Sequence, residues 1–130
     1  LYNIDMIERV FCETPDEFQS KLSACEVSAG KRPLFILFTG SKDIVTGKSW
    51  CPDCVVADPV IDEILNSLED GCMLLYCSVD REPYRTPVYP YRTHPIIQLK
   101  CVPTLIKYQN GKVIARLNDS QCQEKGFVQD

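Results

Sequence analysis

The pair Cys51 and Cys54 is the part of this 130-residue sequence whose residue types and spacing best suit chemistry. Only a proline and an aspartate separate the two cysteines. Cysteines at this spacing form a structural disulfide, supply half of a metal site, or act as a dithiol that exchanges electrons. The rest of the sequence distinguishes among these three uses.

The remaining six cysteines favour reduced thiols over a disulfide framework. A chain of 130 residues can bury well over half of the surface it exposes when unfolded, so it does not need disulfides to fold. The six show no paired spacing, and several lie in apolar runs where a free thiol packs as a small hydrophobic group. They are Cys12, Cys25, Cys72, Cys77, Cys101 and Cys122. Buried reduced thiols predict a reducing compartment, the cytoplasm.

Several other function classes are disfavoured by composition. A zinc site at Cys51 and Cys54 would need two more ligands, but the sequence has no second CxxC motif and only one histidine, His94. We expect His94 to be a loop residue and not a catalytic one. The net charge of −4 argues against nucleic acid. No stretch is apolar enough to span a bilayer, the first residues lack the features of a signal peptide, and no glycine-rich phosphate motif occurs. We therefore expect no bound metal or nucleotide, and no nucleic-acid or membrane partner.

The apolar pattern predicts one α/β domain over residues 1–130. Strands are predicted at 6–11, 33–38 and 72–79, followed by two strands within 96–117 that Asn110-Gly111 joins as a hairpin. The continuous apolar run 33–38 is typical of a central strand that is buried on both faces. The order of elements predicts a parallel core sheet with an antiparallel edge, covered by helices.

Two main helices are predicted between these strands. The first begins at Thr14, which would cap it, with Pro15 in the first position and Glu17 returning the hydrogen bond. Its apolar side would contain Phe18, Leu22 and either Cys25 or Val27, and Gly30 would end it. The second follows Cys54, with an apolar stripe at Val56, Val60, Ile64 and Leu68, a kink at Pro59 and an end at Gly71. A short helix is also predicted within 119–130.

Two long loops complete the prediction. Residues 39–50 lead directly into the cysteine pair, and residues 80–95 contain too much proline for a regular strand, which predicts a surface loop. Two interpretations of the second loop stay open: its aromatic and cationic side chains select a ligand, or its tyrosines hold an insertion in place. The side chains in question are Tyr84, Tyr89, Tyr91, Arg81, Arg85 and Arg92.

A CxxC between a strand and the following helix is typical of redox-active dithiols. The helix N-terminus would favour the thiolate of Cys51, which attacks disulfides, and Cys54 one turn later would attack the mixed disulfide. Pro52 should make the turn rigid. Asp53 would oppose negative charge on the sulfur and so tune the pair toward a reductant; as a first-turn acid it also suits the helix dipole.

Five segments together resemble a known family. They are FTGSKD, GKSWCPDCV, YCSV, EPY and VPTLIKY, and the likeness covers about residues 33–108. They resemble the thioredoxin domain-containing protein 17 family, a cytosolic thioredoxin-related family that includes the Clot-type proteins. The resemblance implies a thioredoxin fold, with a central mixed sheet flanked by helices, and a monomeric disulfide reductase with Cys51 as nucleophile and Cys54 as resolving thiol.

The resemblance also implies an electron supply and a substrate class. Thioredoxin reductase would deliver electrons from NADPH, with no cofactor bound to this chain. The substrates would be small disulfides such as cystine, nitrosylated or persulfidated thiols, and selected protein disulfides.

Residues around the pair are assigned with alternatives. Trp50 would shield the sulfur and contact substrate, or pack against its loop. Val102 and Pro103 are further candidates for substrate contact, and the resemblance implies a cis peptide bond before Pro103. Cys101 stands where the family usually has alanine. It is either a third thiol near the pair or a filler of an alanine-sized core site.

The proton acceptor for Cys54 is also left with alternatives. Thioredoxins generally carry a buried acid on the strand before the motif, and 33–38 contains none. Asp58, four residues after Cys54, is either a proton relay or a solvated acid on the helix surface. Asp43 in the preceding loop is a weaker candidate.

Two functions of other classes compete with the reductase. One is a binding module that keeps the scaffold without using its thiols. The other is an oxidase or isomerase of a secretory compartment, which would have a more oxidising potential.

Overall fold

The computed structural model describes residues 6–118, and these contain one five-stranded mixed sheet. Its strands are β1 (Ile7–Cys12), β2 (Leu34–Gly40), β3 (Cys72–Val79), β4 (Thr104–Gln109) and β5 (Lys112–Asn118). Their spatial order is β1-β3-β2-β4-β5. The first three sheet members pair in parallel, and β4 and β5 form the antiparallel edge. The predicted parallel core with an antiparallel edge is confirmed.

The strand β2 occupies the middle of the sheet and all of its residues are buried, as its apolar run predicts. Its side chains alternate between two faces. Ile36 and Phe38 enter the cluster that includes the helix α1 (Phe18–Ala29), whereas Phe35 and Leu37 enter the cluster that includes the helix α2 (Pro52–Asn66). The sheet therefore lies between two apolar layers, each with one main helix.

The start of α1 differs in detail from the prediction. A 3-10 turn, Pro15–Glu17, precedes the helix, and the Thr14 side chain makes no capping hydrogen bond. The Glu17 carboxylate instead accepts from the Glu13 backbone N–H at 3.3 Å. The buried residues are Phe18, Leu22, Cys25 and Ala29. Cys25 was the right alternative, since Val27 is 84% exposed, and the helix ends at Gly30 with φ of 59°.

The apolar stripe predicted for α2 is wrong for most of its members. The helix buries Cys54, Ala57, Ile61, Ile64 and Leu65, whereas Val56 is 54% exposed and Val60 and Leu68 are only partly buried. Residues four apart advance by about 40° around a helix of 3.6 residues per turn, so the predicted stripe drifts off the buried face. The helix also ends at Asn66, ahead of Gly71. The kink at Pro59 stays a prediction.

The prediction of an irregular surface loop at 80–95 is wrong in part. This segment contains two short helices, α3 (Arg81–Tyr84) and α4 (Pro90–Thr93), and both Tyr89 and Tyr91 are buried. The Tyr91 ring packs edge-on at 4.8 Å from Phe38. A buried aromatic side chain contributes more apolar contact than most residues, which explains why a proline-rich segment is held in the core.

Other sequence predictions have clear outcomes. The hairpin between β4 and β5 is confirmed, with positive φ at Asn110 and Gly111 as a tight turn requires. The helix predicted within 119–130 lies outside the described residues. Seven cysteines are described and no disulfide joins them. In the same part of the chain, no helix has the combination of length and apolar character needed to cross a membrane.

Candidate active site

The cysteine pair lies at the start of α2, with Cys51 as the residue that caps the helix. Cys51 has extended backbone dihedrals, and its Sγ accepts a hydrogen bond from the Cys54 backbone N–H at 3.3 Å. Pro52, which has no N–H, occupies the first helical turn, where that donor would be unpaired in any case. Asp53 lies exposed in the same turn. The CPDC segment therefore forms a helix start in which a sulfur atom is the cap.

The two cysteines differ in depth. Cys51 is 6% exposed and Cys54 is fully buried. Burial, the largest cause, raises the pKa of the Cys54 thiol to about 12. This arrangement gives an outside reactant access to Cys51 alone and keeps the second thiol protonated beneath it.

Two other segments contact Cys51, one at its sulfur and one at its backbone N–H. The Val102 carbonyl oxygen lies 3.7 Å from Cys51 Sγ, and the Val102–Pro103 peptide bond is cis. The Ser49 hydroxyl accepts from the Cys51 N–H at 3.1 Å and donates to the Gly40 carbonyl at 2.8 Å. The fold thus brings the predicted Val102 and Pro103 beside the pair, although they are about 50 residues away along the chain.

Gly40 is a site residue that the sequence analysis placed in a loop. It is the last residue of β2, and its N–H donates to Cys54 Sγ at 3.3 Å. A Cβ at this position would lie 2.6 Å from Ser49 Oγ and 2.9 Å from Cys51 Cβ. Only glycine allows this close approach. A glycine at the end of a buried strand was the available signal.

Trp50 packs against the insertion that follows β3. Its Nε1 donates to the Val79 carbonyl at 2.7 Å, and its ring lies 5.6 Å from that of Tyr84. The Arg92 guanidinium stacks over Tyr84 at 4.3 Å and donates to the Tyr84 carbonyl. Trp50 thus packs against this insertion rather than against its own loop, its contact with substrate stays a prediction, and these contacts give Tyr84 and Arg92 a structural role.

Asp58 is not a solvated surface acid, so that interpretation is wrong. It is partly buried, and its two carboxylate oxygens lie 3.1 and 3.2 Å from the Thr39 hydroxyl that donates to them. The Tyr76 hydroxyl donates to Oδ2 at 3.4 Å. Burial raises the pKa of Asp58. Thr39 was assigned to the loop, but it belongs to β2 and is fully buried.

Asp43, the weaker acid candidate, is exposed in the loop that precedes the pair. Its carboxylate accepts from the backbone N–H groups of Val45 and Thr46, and these bonds lower its pKa. The Asp43 carboxylate therefore stabilises a turn in this loop through its hydrogen bonds to the backbone.

His94 and Cys101 are the remaining side chains that the sequence analysis singled out. The His94 Nδ1 accepts from the N–H groups of Ile96 and Ile97, which gives the ring a structural use in its loop. Cys101 is partly exposed and therefore does not fill a core site. Within residues 6–118, no three side chains of the histidine, cysteine and acidic types come together as metal ligands would.

Comparisons with known proteins agree with this geometry. The model of the family described as thioredoxin domain-containing protein 17-like, thioredoxin domain, matches residues 12–130. Thioredoxin domain-containing protein 17 of Homo sapiens is 40% identical over 113 residues, which are 86% of each chain. The thioredoxin-like protein Clot of Arabidopsis thaliana is 42% identical over 89 residues, 68% of this chain and 66% of the relative.

A solved structure supports the fold independently. Reduced Schistosoma mansoni thioredoxin superposes with a TM-score of 0.58 at 17% identity, covering 95% of this chain and 93% of that one. The thioredoxin fold and a CPDC segment at a helix start, with Cys51 above a fully buried Cys54, are the features of a thiol-disulfide oxidoreductase. The chain therefore belongs to the thioredoxin domain-containing protein 17-like family.

Proposed function

We propose that this protein is a disulfide reductase in which Cys51 attacks the substrate and Cys54 resolves the intermediate. The observation that carries the proposal is the difference in depth between two sulfurs at one helix start. Cys51 reaches the surface and accepts an N–H at 3.3 Å, while the Cys54 thiol lies fully buried against it. A thiolate is the attacking form, and backbone donors at a helix start stabilise it.

The reaction passes two electrons to the substrate in two exchanges. The Cys51 thiolate attacks one sulfur of a disulfide, breaks the S–S bond, and releases the other sulfur as a thiolate that takes up a proton. Cys54, after losing its proton, attacks Cys51 Sγ and releases the second substrate thiolate. The product is an intramolecular Cys51–Cys54 disulfide, which an external dithiol reductant must reduce before the next turnover.

The finer assignments are also proposals. The reductant is a thioredoxin reductase that draws electrons from NADPH, and the substrates are small disulfides such as cystine, nitrosylated or persulfidated thiols and selected protein disulfides. Family membership supports thiol-disulfide exchange as the general class of reaction. The protein acts as a monomer in the cytoplasm, and the free buried thiols Cys12, Cys25, Cys72 and Cys77 support a reducing compartment.

Pro52 and Asp53 tune the pair in this proposal. Asp53 is exposed in the first turn of α2, so its carboxylate adds negative charge near a sulfur that must also carry negative charge. Asp53→Asn should favour the reduced thiolate and raise the reduction potential, as measured by equilibration with glutathione. A potential equal to that of the wild type would contradict the assignment.

The experiment that tests the proposal measures NADPH consumption with thioredoxin reductase, using cystine or a protein disulfide as acceptor. The wild type should prefer cystine. Cys51→Ser should lose turnover by at least about 10³-fold, because the nucleophile is absent. Cys54→Ser should accumulate a mixed disulfide with substrate, seen by mass spectrometry of the intact protein.

The matched control is Cys12→Ala, which removes a buried thiol outside the pair and should retain turnover. Undiminished cystine reduction by Cys51→Ser would reject the proposal and leave the binding-module alternative. Net oxidation of a reduced protein substrate by the wild type would favour the oxidase alternative.

A further inference from the structure

A cavity of about 200 Å³ opens beside the carboxyl ends of β1 and β3. Three segments line it: residues 13–16 after β1, the end of β3 from Ser78 to Asp80, and the insertion that follows β3. Pockets that hold whole small molecules usually measure about 300–1,000 Å³. This cavity is therefore of a size for a single side chain.

The walls of the cavity are largely apolar and are held in place. Three prolines line it, Pro15, Pro83 and Pro90, together with Tyr89. The Tyr89 ring lies edge-on to two other tyrosine rings of the insertion, with centroids 6.5 and 5.4 Å away. Proline rings are rigid, and the tyrosine ring is restrained by its neighbours. These walls form a surface along which the aliphatic stem of a long side chain can pack.

The charged side chains of the cavity are all acidic. Glu13, Asp16 and Asp80 line it and are exposed to solvent, and none of the described lining residues is a lysine, an arginine or a histidine. Within residues 6–118, the three carboxylates take part in none of the ion pairs. The cavity therefore has a negative potential, which complements a cation.

The Tyr89 hydroxyl independently indicates that a polar group binds in the cavity. Tyr89 is only 3% exposed, yet its hydroxyl forms no hydrogen bond with any other residue in the described part of the chain. Every side-chain oxygen that is completely shut off from solvent in residues 6–118 has a partner, so the Tyr89 oxygen is one that opens into the cavity it lines. Buried hydroxyl groups usually have a partner, and the place for this one is inside the cavity.

The cavity lies at the same edge of the sheet as the cysteine pair. Val79, the last residue of β3, is the register partner of Gly40, whose N–H donates to Cys54 Sγ. The ends of β3 and β1 lie one and two strand spacings, roughly 5 and 10 Å, from the end of β2. An extended chain advances about 3.3 Å per residue, so a side chain a few residues from a disulfide at Cys51 can reach the cavity.

We propose that this cavity, which we call the acidic pocket, binds a lysine or arginine side chain of a protein whose disulfide is attacked by Cys51. The stem of that side chain lies along the prolines and the Tyr89 ring. Its cationic head meets the three carboxylates and donates to the Tyr89 hydroxyl oxygen. The inference rests on the proposed function and narrows its protein substrates to those with a basic residue near the disulfide.

The test compares peptides that differ in one charge. Each peptide has one cysteine, joined by a disulfide to a chromogenic aryl thiol, and a lysine at a varied distance from that cysteine. Its matched partner has norleucine, which keeps the stem and removes the charge. Stopped flow with the reduced protein, without a reductase, gives the rate at which the coloured thiol is released. At low salt the best lysine peptide should react about 5- to 10-fold faster than its partner, and about 0.5 M sodium chloride should remove most of this preference.

Variants of the acidic pocket locate the effect. Asp16→Asn/Asp80→Asn should reduce the lysine preference to less than about twofold. The same variant should reduce hydroxyethyl disulfide, which is small and neutral, at the wild-type rate. The matched control is Glu69→Gln/Asp70→Asn, which removes two exposed charges at the other end of β3 and should retain the preference. Tyr89→Phe keeps the ring and should lower the preference by about two- to threefold, because one hydrogen bond is lost.

Three results would overturn the acidic pocket as a binding site. They are equal rates for every lysine peptide and its norleucine partner, a preference that survives Asp16→Asn/Asp80→Asn, and an equal loss of preference in Glu69→Gln/Asp70→Asn. The third result would assign the effect to net charge. All three leave the proposed function standing, because release of the coloured thiol still depends on Cys51. Failure of the proposed function would instead appear as release that persists in Cys51→Ser.

Discussion

Two groups of cysteines in this protein show how differently one residue type can be used. The first is the pair Cys51 and Cys54 at the start of α2. The second, which we call the α1-side thiols, consists of Cys12, Cys25 and Cys77. Cys12 and Cys77 are register partners on the neighbouring strands β1 and β3, and all three thiols are fully buried. Both groups thus bring thiols together, but they do so in different surroundings.

The surroundings of the two groups differ in their hydrogen-bond donors and in their access to solvent. Cys51 accepts from a backbone N–H, whereas the Cys12 thiol donates to the Thr14 carbonyl at 3.2 Å. Burial raises the pKa of both Cys25 and Cys77. A hydrogen bond with Cys77, the largest cause, lowers the pKa of Cys12 to about 7, so ease of ionisation does not separate the two groups. Proximity and a lowered pKa therefore do not make a redox pair by themselves; Cys51 also has a path to the surface, which the α1-side thiols lack.

Alkylation of the native reduced protein tests the difference between the two cysteine groups most directly. With iodoacetamide, Cys51 should react at least about 10³-fold faster than any α1-side thiol, because those thiols are exposed only when the structure opens. Peptide mapping over a time course gives the separate rates. Urea above the unfolding midpoint should remove the difference. Equal native rates would contradict the distinction between the two groups.

The order of the two cysteine groups should reverse for the free energy of unfolding, to which the α1-side thiols should contribute more than Cys51. Cys77→Ala removes a fully buried sulfur from the layer beneath α1 and should lower the free energy of unfolding by about 1–2 kcal/mol, from lost burial and an unfilled cavity. Cys51→Ser changes a side chain at the surface of the core and should cost less than about 0.5 kcal/mol. Urea unfolding under reducing conditions measures both. A larger cost for Cys51→Ser would contradict the structural assignment of the α1-side thiols.

The acid near the reactive pair should leave a smaller signature in the pH dependence of stability. Because burial raises the pKa of Asp58, the folded state binds its proton more tightly than the unfolded state. The wild type should therefore lose stability relative to Asp58→Asn as pH rises from about 4, the unfolded value, through the folded pKa. Urea midpoints at a series of pH values measure this slope.

Asp62→Asn is the control for this slope, since its carboxylate is half exposed. We expect it to follow the wild type across the same pH range. A difference between wild type and Asp58→Asn that stays constant with pH would show that Asp58 is not held in a proton-retaining environment.

Much of the scaffold was predictable because its signals are local. The apolar run of β2, the Asn110-Gly111 turn and the CPDC helix start each depend on residues that are neighbours along the chain. The predicted face of α2 failed because an even spacing of four residues looks amphipathic but rotates around the helix. Burial of Tyr91 was missed because its proline-rich neighbours favour a surface loop, and nothing local indicates that this ring packs in the core.

The sequence by itself determined which sulfurs sit at a helix N-terminus, since strand, spacing and helix start are encoded within one short segment. Only the tertiary structure decided what surrounds them. Gly40 and Thr39 come from the end of β2, Asp58 from the second turn of α2, and Val102 from the residues before β4. Contacts between such distant segments depend on sheet order and close packing, which no local spacing specifies.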